Sequence, residues 1–271
     1  MALKLLKKLL FDRPLKNGVI LNHQYKIEEC LGMGGYGLVY LCTDILTQTP
    51  YVLKQLLLTK AKKEKEKVRF QQEIKLLKSI HHLQIPGFID EFIIDGQAYY
   101  VMQFIEGENI EELLFFRKQP FTELMALQLI SQLLEIIEYL HDRLIFHSDI
   151  RTPNIIINDG RLCLIDFGLA KQLTLEEMEE IKVRKQDDFF DLGETLLFLL
   201  YSQYKGKKKK NGTWLEELTL TKEVTLLLKR LLGIEEEYQH TASIREDLNR
   251  PFNRSHKKTL VPKAEQELFL D

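Results

Sequence analysis

The pattern of hydrophobic and polar positions changes along the chain from one typical of strands to one typical of helices. Between Gln24 and Leu58, β-branched, aromatic and leucine residues form short runs that are broken by glycines, which predicts short antiparallel strands. From Lys60 to His81, the apolar residues Phe70, Ile74 and Leu77 recur at steps of four and three, so they share one face of a predicted helix. The first third of the chain is therefore expected to combine a sheet with one long helix.

A second hairpin and a longer helix are predicted further along. Two strand-like runs, Phe88–Ile94 and Ala98–Phe104, are joined by Asp95-Gly96, a dipeptide typical of tight hairpin turns. A helical period then begins at Thr122 and continues through Leu140. Because strands come first and helices later, we predict an α+β fold with a small β-rich N-terminal lobe and a larger helical C-terminal lobe. The predicted divisions are a basic N-terminal helix at 1–18, the small lobe at 19–106, the large lobe at 107–250 and a C-terminal tail at 251–271.

Composition narrows the class of protein. The chain has 271 residues, of which 45% are hydrophobic and 29% charged, and 38 basic residues nearly balance 40 acidic ones. These values are typical of globular proteins and exclude disordered and collagen-like chains, and the net charge of −2 gives no indication of nucleic-acid binding. The three cysteines, Cys30, Cys42 and Cys163, form no CxxC pair, which argues against a disulfide scaffold or zinc module and favours a reducing cytoplasm. No apolar run approaches the roughly 20 residues of a membrane-spanning helix.

Two segments depart from this neutral average. Residues 1–16 contain five basic residues and one acidic residue, and in a helix their lysines would lie opposite a face of alanine and leucines. We consider two roles for this helix: packing on the lobes of the protein, or lying peripherally on an anionic membrane surface. The second segment, Lys205–Lys210, contains five lysines and is interpreted either as a solvated loop or as a contact for an acidic partner or nucleic acid.

A glycine-rich segment predicts a phosphate-binding loop. Residues Gly32 to Val39 match the pattern GxGxxGxV, in which glycines allow backbone amides to approach phosphate oxygens. A dinucleotide-binding site would have a helix directly after the last glycine, whereas Leu38–Cys42 has the pattern of a strand. The context therefore favours a hairpin that covers a nucleotide.

Lys54 and Glu73 are candidates for a functional ion pair. Lys54 is the single cation of an apolar strand, 17 residues after the last loop glycine, and Glu73 lies on the predicted helix. A lysine that contacts phosphate needs a carboxylate to hold its orientation. Taken singly, Lys54 is equally consistent with an edge-strand lysine, and Glu73 with a solvated helix residue.

Two polar segments follow apolar strands in the second half of the chain. The segment from His147 to Asn154 places Asn154 five positions after Asp149, a spacing that allows a carboxylate to lie near an attacking hydroxyl and an amide oxygen to bind Mg²⁺. Asp166 opens Asp-Phe-Gly at the end of a further strand, where a carboxylate can bind the metal that bridges nucleotide phosphates.

The chain resembles the eukaryotic-like (Hanks-type) serine/threonine protein kinases, in particular a bacterial member. The resemblance is carried by five motifs in the family's order: the glycine loop, the strand lysine, the helix glutamate, HSDIRTPN and DFG. The resemblance covers roughly Tyr25 to Leu248. It implies a bilobal protein-kinase-like fold, ATP and Mg²⁺ as cofactors, and protein hydroxyls, including those of the chain itself, as acceptors.

The resemblance also implies roles for single residues. Asp149 would be the catalytic base, Lys54 would contact the α- and β-phosphates while Glu73 orients it, and Arg151 would touch the γ-phosphate. Asn154 and Asp166 would bind Mg²⁺, and Asp188 would brace the catalytic loop. The implied ATP-binding residues are Leu31, Gly32, Met33, Gly34, Gly35, Tyr36, Gly37, Leu38, Val39, Lys54 and Glu73, together with Met102 as gatekeeper and Gln103, Phe104 and Ile105 as the hinge.

The sequence departs from the family's pattern around the activation segment. Ser148 stands where the family has the arginine that reads activation-loop phosphate, Asp166 and Asp188 are only 22 positions apart, and an APE tripeptide is absent. Two alternatives to a protein kinase therefore stay open: an ATPase or small-molecule kinase of the atypical Bud or RIO type, and a nucleotide-binding scaffold.

Overall fold

The computed structural model describes residues 12–34, 37–206 and 212–259, with side chains as far as 251. Two compact units divide the chain: a first unit of residues up to Ile110 together with Pro153–Gln172, and a second unit of Glu111–Thr152 and the residues from Leu173 onward. Several sequence predictions lie outside the described residues: the segment 1–11, Gly35, Tyr36, Lys207–Lys210 and the tail from 260.

A six-stranded antiparallel sheet with the order β1-β2-β3-β4-β6-β5 forms most of the first unit. The expected strands and the Asp95-Gly96 hairpin are confirmed. The strands are β1 (Ile20–Leu21), β2 (Tyr25–Met33), β3 (Gly37–Asp44), β4 (Pro50–Leu56), β5 (Phe88–Ile94) and β6 (Gln97–Gln103).

The register of the sheet separates an apolar face from a functional face. Val39 of β3, Lys54 of β4 and Tyr100 of β6 are paired across adjacent strands, so their side chains project to the same side. The neighbouring positions Leu53 and Tyr99 project to the opposite side, into a buried apolar cluster. One row of residues across three strands thus brings a lysine and a tyrosine together.

Two helices and a small second sheet complete the first unit. Helix α1 (Leu58–Ala61) leads into α2 (Glu64–Ser79), the helix predicted from the spacing of Phe70, Ile74 and Leu77. Strand β9 (Ile155–Asn158) pairs with both β7 (Glu108–Asn109) and β10 (Arg161–Leu164), which is why the segment 153–172 belongs to this unit although it lies far along the chain. The short strand β11 (Lys171–Gln172) ends the segment.

The second unit is built mainly of helices around a leucine- and isoleucine-rich core. The predicted helix from Thr122 is observed as α4 (Glu123–His141), and the Thr122 hydroxyl caps it by accepting a hydrogen bond from the Met125 amide at 3.2 Å. The short β8 is Ile145–Phe146. The helices are α3 (Ile110–Phe115, which begins at the boundary), α4 (Glu123–His141), α5 (Met178–Tyr201), α6 (Trp214–Glu217), α7 (Lys222–Leu231) and α8 (Thr241–Thr259). Within the described part of the chain, no helix combines the length and the apolar character needed to cross a membrane.

Candidate active site

Lys54 is the centre of a buried ion network in the first unit. Its Nζ lies 2.6 Å from Glu73 Oε1 on α2 and 3.0 Å from Asp166 Oδ1, which follows β10. Lys54 and Glu73 are buried, whereas the Asp166 side chain is 47% exposed. The predicted Lys54–Glu73 pair is therefore present as a geometric fact, and the alternative of a solvated Glu73 is excluded.

The network controls the charge of the lysine. Burial alone would lower the pKa of Lys54, but the negative charges of Glu73 and Asp166 outweigh that effect, and the pKa is raised well above its ordinary value. Lys54 is therefore positively charged at neutral pH although its side chain is buried. A buried environment strengthens its attraction to anionic groups, since water screens the charge poorly there.

Asp166 occupies a strained position at the end of a strand. Its φ of 63° lies in the left-handed region, which residues other than glycine rarely adopt, and its Oδ1 accepts a hydrogen bond from the Gly168 amide at 3.3 Å. The amide of Ile165 donates to the backbone oxygen of Asn154 at 2.9 Å, so the two predicted metal ligands come from adjoining segments.

The chemistry of these two side chains fits Mg²⁺. Asp166 supplies a carboxylate and Asn154 an amide oxygen, and Mg²⁺ prefers one or two carboxylates with further oxygens from phosphates and water. No thiolate or imidazole is part of this donor set, so the softer transition metals are not favoured.

The segment that carries Asp149 is held by helix α5 within the second unit. The amides of His147 and Ser148 donate to the two oxygens of Asp188 at 3.1 and 2.7 Å, in agreement with the bracing role that the resemblance implied. The amide of Ile150 donates to Asp191 Oδ2 at 3.0 Å. Three backbone amides on both sides of Asp149 are thereby fixed by one helix.

Asp149 itself keeps access to solvent. Its side chain is 26% exposed, and its Oδ1 lies 3.7 Å from Nε of Arg151, the residue expected to touch the γ-phosphate. A carboxylate that is fixed through its backbone neighbours and still reachable is suited to accept a proton from an incoming hydroxyl.

Two further residues of α5, which no sequence motif indicated, contact the segment around Asp149. Asp191 holds Ile150, as described, and Arg184 donates from Nη1 to Ser148 Oγ at 3.4 Å. Arg184, Asp188 and Asp191 are spaced by four and three residues, so they lie on one helix face, and this periodicity could have revealed them. An arginine from α5 thus reaches the residue that replaces the family's loop arginine.

The glycine loop is only partly described. Leu31, Gly32, Met33 and Gly34 are exposed, and a Cβ on Gly37 would lie 2.8 Å from the Gln55 carbonyl, so β3 can approach β4 only with glycine there. Leu38, expected at the ATP site, is 1% exposed in the apolar cluster on the opposite face of the sheet. Its side chain faces away from Lys54, because side chains alternate along a strand.

The predicted gatekeeper and hinge residues follow one another at the end of β6. Met102 pairs with Val52 of β4, on the same side of the sheet as Lys54, and the Gln103 amide donates to the Gly87 carbonyl at 2.8 Å. Phe104 and Ile105 continue the chain out of the strand and are half-buried.

Comparison with known proteins identifies the family. Residues 25–190 match the protein kinase domain. The probable serine/threonine-protein kinase YbdM of Bacillus subtilis (strain 168) is 98% identical over 250 residues, which are 92% of this chain and 98% of that protein. Serine/threonine-protein kinase B of Synechocystis is 32% identical over 167 residues, 57% of this chain and 28% of that protein.

A solved structure confirms the fold class. The kinase domain of Mycobacterium tuberculosis PknI superposes with a TM-score of 0.68 at 21% sequence identity, covering 87% of this chain and 99% of that domain. The predicted α+β, kinase-like fold and the resemblance to bacterial kinases are thus both confirmed. Since the protein kinase domain matches more than half of its length, the chain belongs to the protein kinase family.

Proposed function

We propose that this protein kinase transfers the γ-phosphoryl group of ATP to serine and threonine hydroxyls of proteins, including its own. The observation that carries the proposal is the buried Lys54, held at 2.6 Å by Glu73 and at 3.0 Å by Asp166. A pseudokinase would gain nothing from keeping this cation, both carboxylates and Asp149 together. The near identity to a protein named as a probable serine/threonine-protein kinase supports the choice of acceptor.

Lys54 acts by electrostatic stabilisation. Its positive charge is oriented by Glu73 before the nucleotide binds, so stabilising the α- and β-phosphates requires little rearrangement. Asn154 and Asp166 would hold Mg²⁺, which when bound neutralises phosphate charge. Because Asp166 is half-exposed, it can exchange its contact with Lys54 for a metal ion.

Asp149 acts on the acceptor hydroxyl. A serine or threonine oxygen forms a bond to the γ-phosphorus while the bond from that phosphorus to the β–γ bridging oxygen breaks, and ADP leaves with the electron pair. Asp149 orients the hydroxyl and accepts its proton. Arg151, which is largely exposed beside Asp149, would contact the γ-phosphate during transfer.

The first prediction tests this assignment. Asp149→Asn keeps the shape of the side chain but cannot accept a proton, so phosphate transfer should fall by about 10²–10⁴-fold. The measurement follows ³²P from labelled ATP into a generic protein substrate and into the chain itself, in the presence of Mg²⁺. Asp142→Asn, in the turn after α4, is the control and should transfer normally. Transfer at the wild-type rate by the Asp149→Asn protein would contradict the role of Asp149.

The short spacing between Asp166 and Asp188 favours a second candidate, an ATPase or small-molecule kinase. That candidate predicts release of inorganic phosphate or labelling of a metabolite with little labelled protein. A nucleotide-binding scaffold instead predicts thermal stabilisation by ATP and Mg²⁺ without turnover. The same labelled-ATP experiment, with phosphate release measured in parallel, separates the three.

Protein substrates follow from the family, whereas other partners are a further part of the proposal. We propose that the basic segment 1–16 attaches this cytoplasmic kinase to anionic membrane surfaces. The support for it is the excess of five basic residues over one acidic residue, and the leucines that would lie opposite the lysines if the segment formed a helix. For the lysines at 205–210, an acidic protein partner is proposed on charge alone.

A further inference from the structure

Tyr100 places a second donor on the carboxylate that orients Lys54. Its hydroxyl donates to Glu73 Oε1 at 2.8 Å, the same oxygen that Lys54 contacts at 2.6 Å. Tyr100 is 1% exposed. One carboxylate oxygen thus joins the cation of β4 and the phenol of β6 to helix α2.

The surroundings of Tyr100 keep its hydroxyl in the donor role. Burial, followed by the negative charge of Glu73, raises the pKa of Tyr100 well above its ordinary value, so the phenol stays neutral. The ring of Phe70, one turn before Glu73 on α2, lies 5.3 Å from the Tyr100 ring between centroids. The packing of Phe70 on Tyr100 and the hydrogen bond from Tyr100 to Glu73 therefore both attach this part of α2 to the sheet.

The two hydrogen-bond donors to Glu73, Lys54 and Tyr100, differ in their other contacts. Lys54 is shared, since Asp166 already contacts it and nucleotide phosphates would contact it in the proposed reaction. Among the described residues, the Tyr100 hydroxyl is bonded to Glu73 and not to Asp166, and its strand is paired directly with β4 at Lys54. The phenol can hold Glu73 while the charge of Lys54 is redistributed.

We propose that Tyr100 is a positioning residue for phosphoryl transfer, which holds Glu73 of α2 against the sheet independently of Lys54 and of the nucleotide. The proposal rests on the role of Lys54 and Glu73 proposed above. Its consequence is that the free enzyme already has α2 in the ATP-competent position. Without the hydroxyl, part of the population would lack that position, and the apparent affinity for ATP would fall by the fraction lost.

Kinetics of Tyr100→Phe distinguish positioning from a structural effect. The variant keeps the ring that packs on Phe70 and loses only the hydroxyl. We expect KM for ATP to rise by about tenfold, the scale of one hydrogen bond to a charged group, with kcat changed less than about twofold. Tyr99→Phe is the matched control, because that ring stacks on Phe92 on the other face of the sheet. A lower kcat with unchanged KM, or equal effects of the two variants, would overturn the proposal.

Hydrogen exchange provides a test that needs no activity. In Lys54→Met the phenol still holds Glu73, so the amides of 64–79 should exchange at nearly the wild-type rate, whereas Lys54→Met/Tyr100→Phe should exchange about tenfold faster. Equal exchange in the single and double variants would refute the role of Tyr100 whatever the reaction is. If the wild-type protein transfers no phosphate while the exchange difference is found, the proposed function fails and the positioning role stands.

Discussion

Asp191 is a partly buried carboxylate whose surroundings disfavour its negative charge. The pKa of Asp191 is raised from 3.8 to about 6: burial raises it most, the hydrogen bond from the Ile150 amide lowers it, and the charge of the nearby Asp188 raises it. The residue keeps this position because its oxygen fixes the backbone next to Asp149. The position of the backbone beside Asp149 is thus maintained at a cost in stability.

The second prediction concerns the pH dependence that this residue causes. The folded pKa of Asp191 lies above the unfolded value, so protonation favours the folded state; this contribution is complete below about pH 4 and is lost as pH rises through about 6. Asp191→Asn keeps an acceptor for the Ile150 amide but cannot ionise. The free energy of unfolding of the variant, minus that of the wild type, should therefore rise between pH 4 and 7.

Urea denaturation at pH 4.5, 5.5, 7 and 8 measures this difference. Asp187→Asn serves as the control, because Asp187 lies exposed on the same helix. Parallel curves for the Asp191→Asn protein and the wild type would contradict the prediction.

Helix α5 supports the second unit on two sides. One face carries Arg184, Asp188 and Asp191 toward the segment around Asp149. Another packs against α7, where a Cβ built on Gly193 would lie 2.8 Å from Leu231 Cβ and 3.1 Å from Leu232 Cδ2. The glycine lets the two helices approach closely, and so helps to set the position of the helix that holds residues 147–150.

The third prediction tests that close approach. Gly193→Ala should lower the free energy of unfolding by up to about 2 kcal/mol net, since the added methyl overpacks the contact with α7 at a cost of about 1–3 kcal/mol. The gain of alanine in helix propensity, about 1 kcal/mol, offsets only part of this cost. Chemical denaturation checks it, with Gly87→Ala as the control because a Cβ there would meet its nearest neighbour at 3.9 Å. Equal stability of the Gly193→Ala protein and the wild type would show that the helices can separate freely.

At the scale of the whole molecule, Asp12, the first described residue, is anchored within the first unit. This residue is 3% exposed, and its carboxylate accepts hydrogen bonds from the Thr59 amide at 3.0 Å and the Thr59 hydroxyl at 2.5 Å. The basic residues Lys4, Lys7 and Lys8 precede this attachment. Removing residues 1–11 therefore keeps Asp12 and its hydrogen bonds to Thr59 while deleting Lys4, Lys7 and Lys8.

The fourth prediction is membrane attachment through these residues. The full chain should sediment with vesicles that contain phosphatidylserine and not with neutral phosphatidylcholine vesicles, and salt should release it. Lys4→Gln/Lys7→Gln/Lys8→Gln should weaken sedimentation as the removal of 1–11 does, while Lys60→Gln/Lys62→Gln/Lys63→Gln is a control of equal charge. Equal sedimentation of all these proteins would exclude a membrane role for the segment.

Local sequence patterns were sufficient to predict most strands and helices and the order of the kinase motifs along the chain. Runs of β-branched residues and the 3–4 spacing of apolar residues depend on local geometry, so the hairpins, α2 and α4 could be predicted from them. Lys54, Asp149 and Asp166 stand out because a charged group at a fixed distance from glycines or strand ends is rare. Membership of the kinase family follows from the order of these groups.

Tertiary structure alone decided which side chains meet. Tyr100 reaches Glu73 because β6 pairs with β4 in a register that places it beside Lys54, and this pairing joins segments that lie far apart in the chain. Alternation along β3 is local, but the side of the strand that carries Leu38 faces the core only once the sheet has packed. The segment 153–172 likewise joins the first unit by long-range pairing, through β9 and β7. The motifs of this kinase therefore identify its charged residues from the sequence. The residues that contact and orient them are determined by the packing of segments that are distant in the chain.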